Sequence, residues 1–168
     1  MLVTERLVLT RITKEDMPLF DEILSCPEQT RYLPNEAPYS AAERDAYVTG
    51  RLEHWQQHGF GTYVIRLRDD LMQRLGYVGI EHSPNPSFLD IRFGVLPAKQ
   101  GQGFVTEGAG TLLNHFLGVH KGQEVFGVAM VPNTASISVL KKLGMTPADA
   151  NLYDCEGLAT FSISAPHC

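Results

Sequence analysis

Apolar positions recur along the chain with two periods, one typical of β-strands and one typical of α-helices. Alternating and β-branched runs predict strands, at Leu7–Ile12, Thr62–Leu67, Arg74–Glu81, Phe88–Leu96, Glu124–Met130 and Leu158–Ser164. Spacings of three and four residues predict helices, after Thr13, from Ser40 to about Gln57, from the glycine-rich stretch to about Gly118, and over Asn133–Leu143. The proline-rich segment Glu28–Ser40 is predicted to be an ordered loop. Strands that cluster early and alternate with helices later indicate a mixed sheet flanked by helices.

Composition and charge narrow the class of protein. The 168 residues, 43% of them hydrophobic, suit one domain over residues 1–168. A net charge of −5 argues against a nucleic-acid partner. The sequence contains neither an apolar run of membrane-spanning length nor the apolar segment of a secretory signal. Its widely spaced cysteines, Cys26, Cys155 and Cys168, predict no disulfide framework. We therefore expect a cytoplasmic protein that binds neither nucleic acid nor membrane.

Four glycines lie in the stretch PAKQGQGFVTEGAG, between a predicted strand and a predicted helix. Glycine inside a helix costs about 1 kcal/mol relative to alanine, so four glycines around the start of a predicted helix need an explanation. A strand that leads directly into a helix exposes the first helical amides, which favour a diphosphate. Gly101 and Gly103 would let such a ligand approach closely. The amides expected to face it belong to Gln100, Gln102, Gly103, Phe104 and Val105. A tight turn without a ligand explains the same local pattern.

Two familiar glycine motifs do not match this stretch. A P-loop requires a lysine after its glycines, and none follows here. A dinucleotide-binding fingerprint requires a third glycine where Thr106 stands. The helix that follows carries one apolar stripe that is predicted to face the core, formed by Val105, Ala109, Leu112, Leu113 and Phe116.

Three segments, taken in order, resemble one known family. The opening TERLVLTRITKEDMPLF resembles its first strand and helix, and Gln100–Val105 resembles its pyrophosphate motif [RQ]-x-x-G-x-[GA], with Val105 in place of a small residue. The segment Pro132–Gly144 is similar to a PxNxxSxxxLxKLG pattern. Together these segments resemble the GNAT superfamily of acyl-CoA-dependent N-acyltransferases, and within it the RimJ/RimL-like branch, which includes ribosomal-protein N-terminal acetyltransferases. The resemblance covers the chain to about Gly144 and is weak beyond it.

This resemblance implies an α+β (mixed α/β) fold. Its twisted, mostly antiparallel sheet would have about six or seven strands with a splayed central pair, flanked by about four helices. It also implies acetyl-CoA as cosubstrate, no metal, and a pantetheine arm along the fourth strand, where a backbone amide holds the thioester carbonyl. The residues implied for binding the cofactor are Phe93, Gly94, Val95, Leu96, Gln100, Gly101, Gln102, Gly103, Phe104, Val105, Thr106, Asn133 and Ser136.

The resemblance further implies direct attack of a primary amine on the thioester in a ternary complex. The amine would belong to a protein N-terminus or to a small molecule. Glu81 and Asp90, at strand ends, are candidates for the base, and His82 is a third; for each of them a solvated or salt-bridged charge is the more common explanation. Ser136 resembles a serine near the cofactor sulfur. Asn133 also fits the N-cap of a helix. The catalytic candidates are thus Glu81, Asp90 and Ser136.

Other functions stay open at this point. A non-catalytic CoA-binding sensor or partner module is the main alternative, because the segment Pro132–Gly144 lacks the tyrosine that many relatives use as an acid. A nucleotide-binding protein with the same glycine loop is a third reading. The acceptor, and the choice between monomer and homodimer, are open.

Histidine and cysteine offer weaker candidates for chemistry. His54 and His58 stand four residues apart on a predicted helix, where both could hold one metal ion. A zinc-protease motif needs glutamate where Trp55 stands, so an ordinary surface pair is the prediction. Cys155 and Cys168 have no neighbours in sequence that would lower a thiol pKa, which makes them poor nucleophiles.

Overall fold

One eight-stranded sheet organises the computed structural model, which describes residues 1–34 and 36–165. The strands follow the order β1-β2-β3-β4-β5-β6-β8-β7, and they are β1 (Leu2–Val3), β2 (Leu7–Arg11), β3 (Thr62–Leu67), β4 (Asp70–His82), β5 (Leu89–Val95), β6 (Glu124–Met130), β7 (Thr146–Pro147) and β8 (Leu158–Ser164). All neighbours are antiparallel except β5 and β6. The predicted mostly antiparallel sheet is confirmed, and the two-residue strands β1 and β7 bring the number to eight. Cys168 lies outside the described residues.

Five α-helices accompany the sheet in the described part of the chain: α1 (Met17–Leu24), α2 (Pro27–Thr30), α3 (Ala41–His58), α4 (Phe104–Val119) and α5 (Thr134–Lys142). The predicted start of α3 is confirmed, because Ser40 Oγ accepts from the Glu43 amide at 3.2 Å while the Glu43 carboxylate accepts from the Ser40 amide at 2.9 Å. Gly59, with φ of 75°, ends this helix.

The segment predicted as a proline-rich loop contains the short helix α2. Pro27 occupies its first turn, where the missing N–H costs nothing. The Thr30 hydroxyl donates to the Cys26 carbonyl at 3.0 Å and holds the turn together. Four residues are too few to show a hydrophobic period, which explains why the sequence pattern did not predict this helix.

The strand β4 begins at Asp70, four positions before the predicted start at Arg74. A tight turn through Arg68 and Asp69 places Asp70 directly opposite Leu67 of β3. The first residues of β4 are exposed on the hairpin, so they carry no alternation of apolar and polar side chains from which a strand could be predicted.

The apolar core lies on both faces of the sheet. The helix α4 packs Leu112 and Phe116 against one face, and α1 and α3 pack Phe20 and Trp55 against the other. Val105 was predicted to lie on the buried stripe of α4, but it is only half-buried and borders a cleft. Phe104 takes the inner position instead, with 8% of its surface exposed.

The central strands β5 and β6 separate soon after they begin. They pair only at Leu89 with Val125 and at Asp90 with Phe126, whereas β5 stays paired with β4 as far as Val95. The predicted splayed central pair is confirmed. We call the gap between the two strands beyond Asp90 the fork. Of the described residues, none form a helix with the length and apolarity needed to cross a bilayer.

Candidate active site

The turn after β5 has the backbone of an anion site. Gly101 and Gly103 have φ of 75° and 77°, a region that residues with side chains rarely adopt. The first intrahelical bond of α4 runs from the Glu107 amide to the Gly103 carbonyl at 3.0 Å. The amides of Phe104 and the two residues after it therefore lie ahead of the helical ladder, at the positive end of the helix dipole. This arrangement suits a phosphate group.

Arg6 fastens this turn to the sheet. Its guanidinium donates to the Gln102 carbonyl at 2.9 Å and to the Glu107 carboxylate at 2.7 Å, and it lies 4.6 Å from the centre of the Phe104 ring. Burial acts to raise the pKa of Glu107, but hydrogen bonds from Thr4 and Arg6 lower it overall. Sequence reasoning missed Arg6, because its partners are distant along the chain.

A cleft of about 690 Å³ opens beside the turn. It is lined by most of the residues predicted to hold the cofactor: Phe93, Gly94, Val95, Gln100, Gly101, Gly103, Phe104, Val105, Thr106, Asn133 and Ser136. The two other predicted residues, Leu96 and Gln102, are not among those that line it. The Leu96 amide donates to the Leu75 carbonyl at 2.8 Å, and the Gln102 carbonyl accepts from Arg6. The Gln100 amide turns back toward the Pro97 carbonyl at 3.4 Å rather than toward the cleft.

Three cationic side chains border this cleft. Arg31 comes from the connection between α2 and α3, Lys99 from the turn after β5, and Lys142 from the end of α5. Glu28 is the acidic residue among those that line it. The net positive charge favours a ligand that carries several phosphates. Net charge alone could not predict this local excess, since the three residues come from separate parts of a chain whose total is −5.

Asn133 and Ser136 form the part of the cleft that belongs to α5. The Asn133 side chain caps the helix, as predicted, with Oδ1 accepting from the Ser136 amide at 3.2 Å. Its Nδ2 donates to Ser136 Oγ at 3.0 Å. Because the hydroxyl oxygen accepts this bond, the hydroxyl proton of Ser136 is left to donate to a further partner.

Glu81 is held in an ionic network away from the lining of the cleft. Its carboxylate is 2% exposed, accepts from the Thr62 hydroxyl at 2.8 Å and pairs with Arg51 Nε at 2.9 Å. Arg92 Nη1 lies 4.0 Å away. These partners agree with the salt-bridged interpretation considered for this residue, and a catalytic role for Glu81 stays a prediction.

Asp90 stands where the fork opens, as the last residue of β5 that pairs with β6. Its side chain is 1% exposed and accepts hydrogen bonds from Arg92 Nε, at 3.0 Å, and from the Tyr153 hydroxyl. Burial raises the pKa of Asp90 to about 6, against the lowering effect of Arg92, and the nearby Glu81 adds to the rise. A carboxylate with a pKa close to the working pH suits general-base chemistry.

A second cavity, of about 510 Å³, lies under the loop that leads into β8. We call it the acidic cavity, because the charged residues among those that line it are all acidic: Asp149, Asp154 and Glu156. Tyr153 lines it as well and connects it to Asp90. Sequence reasoning missed Tyr153, because the resemblance is weak beyond Gly144 and no pattern marks the contact.

His82, the third candidate base, lies at the end of β4 against His54 and His58. Its ring centre is 5.7 Å from that of His54 and 4.6 Å from that of His58. Like Glu81 and Asp90, His82 is not among the residues that line either of the two cavities described above. The three candidate bases lie side by side with different partners: Asp90 is at the fork, Glu81 stands opposite it on β4 and pairs with Arg51, and His82 follows Glu81 and packs against the other histidines.

The matched family confirms the class of protein that this fold and cleft define. Residues 6–146 match the acetyltransferase (GNAT) domain, and the chain belongs to this family. It is an acetyltransferase, and the GNAT fold supports transfer of acetyl from acetyl-CoA to an amine.

Solved structures share the fold over nearly the whole chain. An acetyltransferase from Agrobacterium tumefaciens str. C58 is similar with a TM-score of 0.88 and 20% identity, over 98% of this chain and 94% of that one. An enzyme that modifies the N-terminal serine of ribosomal protein L7/L12 from Salmonella typhimurium has a TM-score of 0.77 and 17% identity, over 98% of both chains. Spermidine N-acetyltransferase from Vibrio cholerae, in complex with CoA and spermine, has a TM-score of 0.74 and 14% identity, over 95% and 96% of the two chains.

Proposed function

We propose that this enzyme acetylates a cationic primary amine, by direct attack on acetyl-CoA in a ternary complex. The observation that carries the proposal is the position of Asp90 at the opening of the fork, where Tyr153 connects it to a cavity bordered by acids and β5 continues into a cleft bordered by cations. The donor is polyanionic and the acceptor is a cation before it loses its proton. Each reactant therefore has a region of complementary charge, and the two regions meet at the fork.

The donor is proposed to bind through the turn and the fork. Its diphosphate accepts hydrogen bonds from the amides that open α4, with Lys99 and Lys142 near the remaining phosphate charge. The pantetheine arm lies in the fork beside Phe93–Leu96, where the edge of β5 that faces away from β4 offers backbone donors and acceptors. One β5 amide donates to the thioester oxygen and stabilises the negative charge that develops on it.

The acceptor is proposed to approach from the acidic cavity. Carboxylates of Asp149, Asp154 and Glu156 attract the protonated amine, and Asp90 removes the proton that the amine must lose before attack. Tyr153 donates to Asp90 and holds the carboxylate at the fork. The Ser136 hydroxyl donates a hydrogen bond to the departing thiolate, which leaves as CoA thiol after taking the second proton that the nitrogen loses on attack. Each of these reaction steps is thus assigned to a side chain with the required donor or acceptor.

Membership of the RimJ/RimL-like branch is part of the proposal. It is supported by the motifs in Gln100–Val105 and Pro132–Gly144 and by the similarity in fold to the L7/L12-modifying enzyme. Because both that enzyme and the spermidine enzyme share this fold, a protein N-terminus and a polyamine are the two acceptor classes to test first. A cytoplasmic location and a monomeric or homodimeric state stay predictions.

A pair of glycine substitutions tests the donor site. Gly103→Ala forces a side chain onto a φ of 77° in the turn, and Gly122→Ala imposes the same strain at a φ of 84° in the distant turn between α4 and β6, where the added methyl meets open space. We expect Gly103→Ala to weaken CoA binding at least about tenfold more than Gly122→Ala does, because it distorts the amides that hold the diphosphate. Equal CoA affinity of the two variants, measured by calorimetry, would contradict this placement of the diphosphate.

Release of CoA thiol, followed across a panel of peptides and polyamines, tests the reaction itself. Turnover with a cationic amine is the expected result. Tight CoA binding without turnover on any amine would instead favour the non-catalytic CoA-binding alternative.

A further inference from the structure

Three histidines from two elements meet at the end of the sheet away from the turn. His54 and His58 lie one turn apart on α3, and His82 ends β4. Their ring centres are 4.5 Å apart for the helical pair, and 4.6 and 5.7 Å from His82 to His58 and His54. One nitrogen of each ring lies within 4.8 Å of the others. The pair predicted to be an ordinary surface feature thus has a third partner from a distant strand.

Hydrogen bonds fix the orientation of two of these rings. His54 Nδ1 lies 2.8 Å from the Phe60 carbonyl, and His82 Nδ1 lies 3.1 Å from the Pro86 carbonyl. A carbonyl only accepts, so Nδ1 carries the proton in both rings and Nε2 carries a lone pair. Histidines that bind metals are held in this way, with one nitrogen donating to a backbone carbonyl and the other facing the ion.

The Nε2 atom of His54 already takes part in a hydrogen bond. It accepts from the His82 amide at 3.0 Å, an arrangement that fits a neutral ring whose Nε2 lone pair faces the backbone amide of His82. Metal binding through this nitrogen requires the His54 ring to turn away from the His82 amide, which then bonds to water. His58 is exposed, so its ring can rotate toward the other two. This rotation brings the three ring nitrogens to the separation that the ligands of one ion require.

We propose that His54, His58 and His82 form a binding site for a late first-row divalent metal ion of the Zn²⁺ type. Neutral imidazoles are favoured ligands for such ions, and Zn–N bonds of about 2.0–2.1 Å place ligand nitrogens of a tetrahedral site about 3.3 Å apart. Because His58 is exposed, water can occupy the fourth coordination position of the ion. The ion would tie the end of α3 to the end of β4, next to the Arg51–Glu81 ion pair that also joins these elements. This site adjoins the candidate catalytic carboxylates through His82, which follows Glu81 in β4, but the proposal does not depend on the function proposed for the enzyme.

Titration of the metal-free full-length chain with Zn²⁺ tests the site. We expect one equivalent to bind in calorimetry, with a rise in Tm that grows with Zn²⁺ concentration. Co²⁺ in place of Zn²⁺ is expected to give the visible absorption of a tetrahedral nitrogen-ligated ion. Exchange of the His82 amide with solvent is expected to become faster when Zn²⁺ binds, because the amide loses His54 as its acceptor.

Substitutions of exposed histidines locate the ion. His58→Gln is expected to weaken Zn²⁺ binding at least about tenfold, since even the loss of an outer partner of a ligand costs about 10–100-fold. His115→Gln, at an exposed position of α4, is the matched control and should leave binding unchanged. His82→Gln repeats the test from the strand side. Equal Zn²⁺ affinity in the wild type and in both cluster variants, or loss of binding only in Cys155→Ser, would overturn the proposal, as would the absence of saturable binding.

Discussion

The cleft and the acidic cavity are built from opposite kinds of charge, although they belong to one small acidic protein. Arg31, Lys99 and Lys142 border the first, and Asp149, Asp154 and Glu156 border the second. The fork and Tyr153 connect them at Asp90. The difference teaches that a total charge of −5 describes neither region. In the mechanism we propose, each region matches the charge of one reactant of the acetyl transfer. Five predictions test this division.

Asp90→Asn should have the largest effect, because it removes the base at the point where the two regions meet. We expect kcat to fall by about 100-fold or more, the usual contribution of a general base, with small changes in KM. Asp45→Asn, at an exposed position of α3, is the control. A 100-fold loss in Glu81→Gln, with most of kcat kept in Asp90→Asn, would assign the base to Glu81.

The same residue predicts the pH dependence of the wild type. Burial raises the pKa of Asp90 to about 6, and only the ionised carboxylate accepts a proton. Activity should therefore be full above the pKa and fall as the pH drops through about 6. This acidic limb of the kcat profile should be missing from the residual activity of Asp90→Asn.

Reversal of charge at the cleft should have the next largest effect. Lys99→Glu combined with Lys142→Glu is expected to weaken CoA binding about tenfold, since each exposed charge contributes up to about 1 kcal/mol. Lys121→Glu combined with Lys141→Glu changes the net charge equally at exposed positions outside the lining of the cleft. If both double variants lose the same affinity for CoA in calorimetry, long-range charge rather than the cleft explains the effect.

Neutralisation of the acidic cavity should change a different parameter. Asp149→Asn and Glu156→Gln are each expected to raise KM for a polyamine about threefold, the size typical of an exposed charge pair, and to leave KM for acetyl-CoA unchanged. Glu124→Gln, exposed at the start of β6, serves as control. An increase in KM for acetyl-CoA instead would break the assignment of the two regions to the two reactants.

Tyr153→Phe should have the smallest effect. The Tyr153 hydroxyl donates to the carboxylate of Asp90, and its removal withdraws a hydrogen bond from the ionised form. The pKa of Asp90 should rise, so the acidic limb of the kcat profile should move to higher pH while the maximal rate changes only a few-fold. A shift of the limb to lower pH would show that the contact acts in another way.

The parts that could be predicted from the sequence are those fixed by backbone geometry and local period. Gly101 and Gly103 marked the turn because few other residues adopt its φ values, and Asn133 marked the start of α5 because its side chain caps the next turn. The alternation in Thr62–Leu67 and the run Leu158–Ser164 predicted β3 and β8 with the bounds observed.

The parts that could not be predicted depend on residues that meet only in three dimensions. Arg6 reaches Gln102 and Glu107 across the fold, and Tyr153 reaches Asp90 from a loop without period. The cations of the cleft come from three separate segments. For the same reason, His54 and His58 could be noticed as a pair, while His82 could not be added to them before the strand was in place.

The junction between β5 and β6 rests on two residue pairs, with a five-stranded part of the sheet on one side and a three-stranded part on the other. So narrow a seam lets the two parts tilt relative to each other with little loss of strand pairing, and the helices packed on the sheet and contacts such as the Tyr153–Asp90 hydrogen bond resist this movement. A molecule bound in the fork therefore fixes the angle between the two parts of the sheet. Protection of amides from solvent exchange should then rise together along both borders of the fork when it is filled.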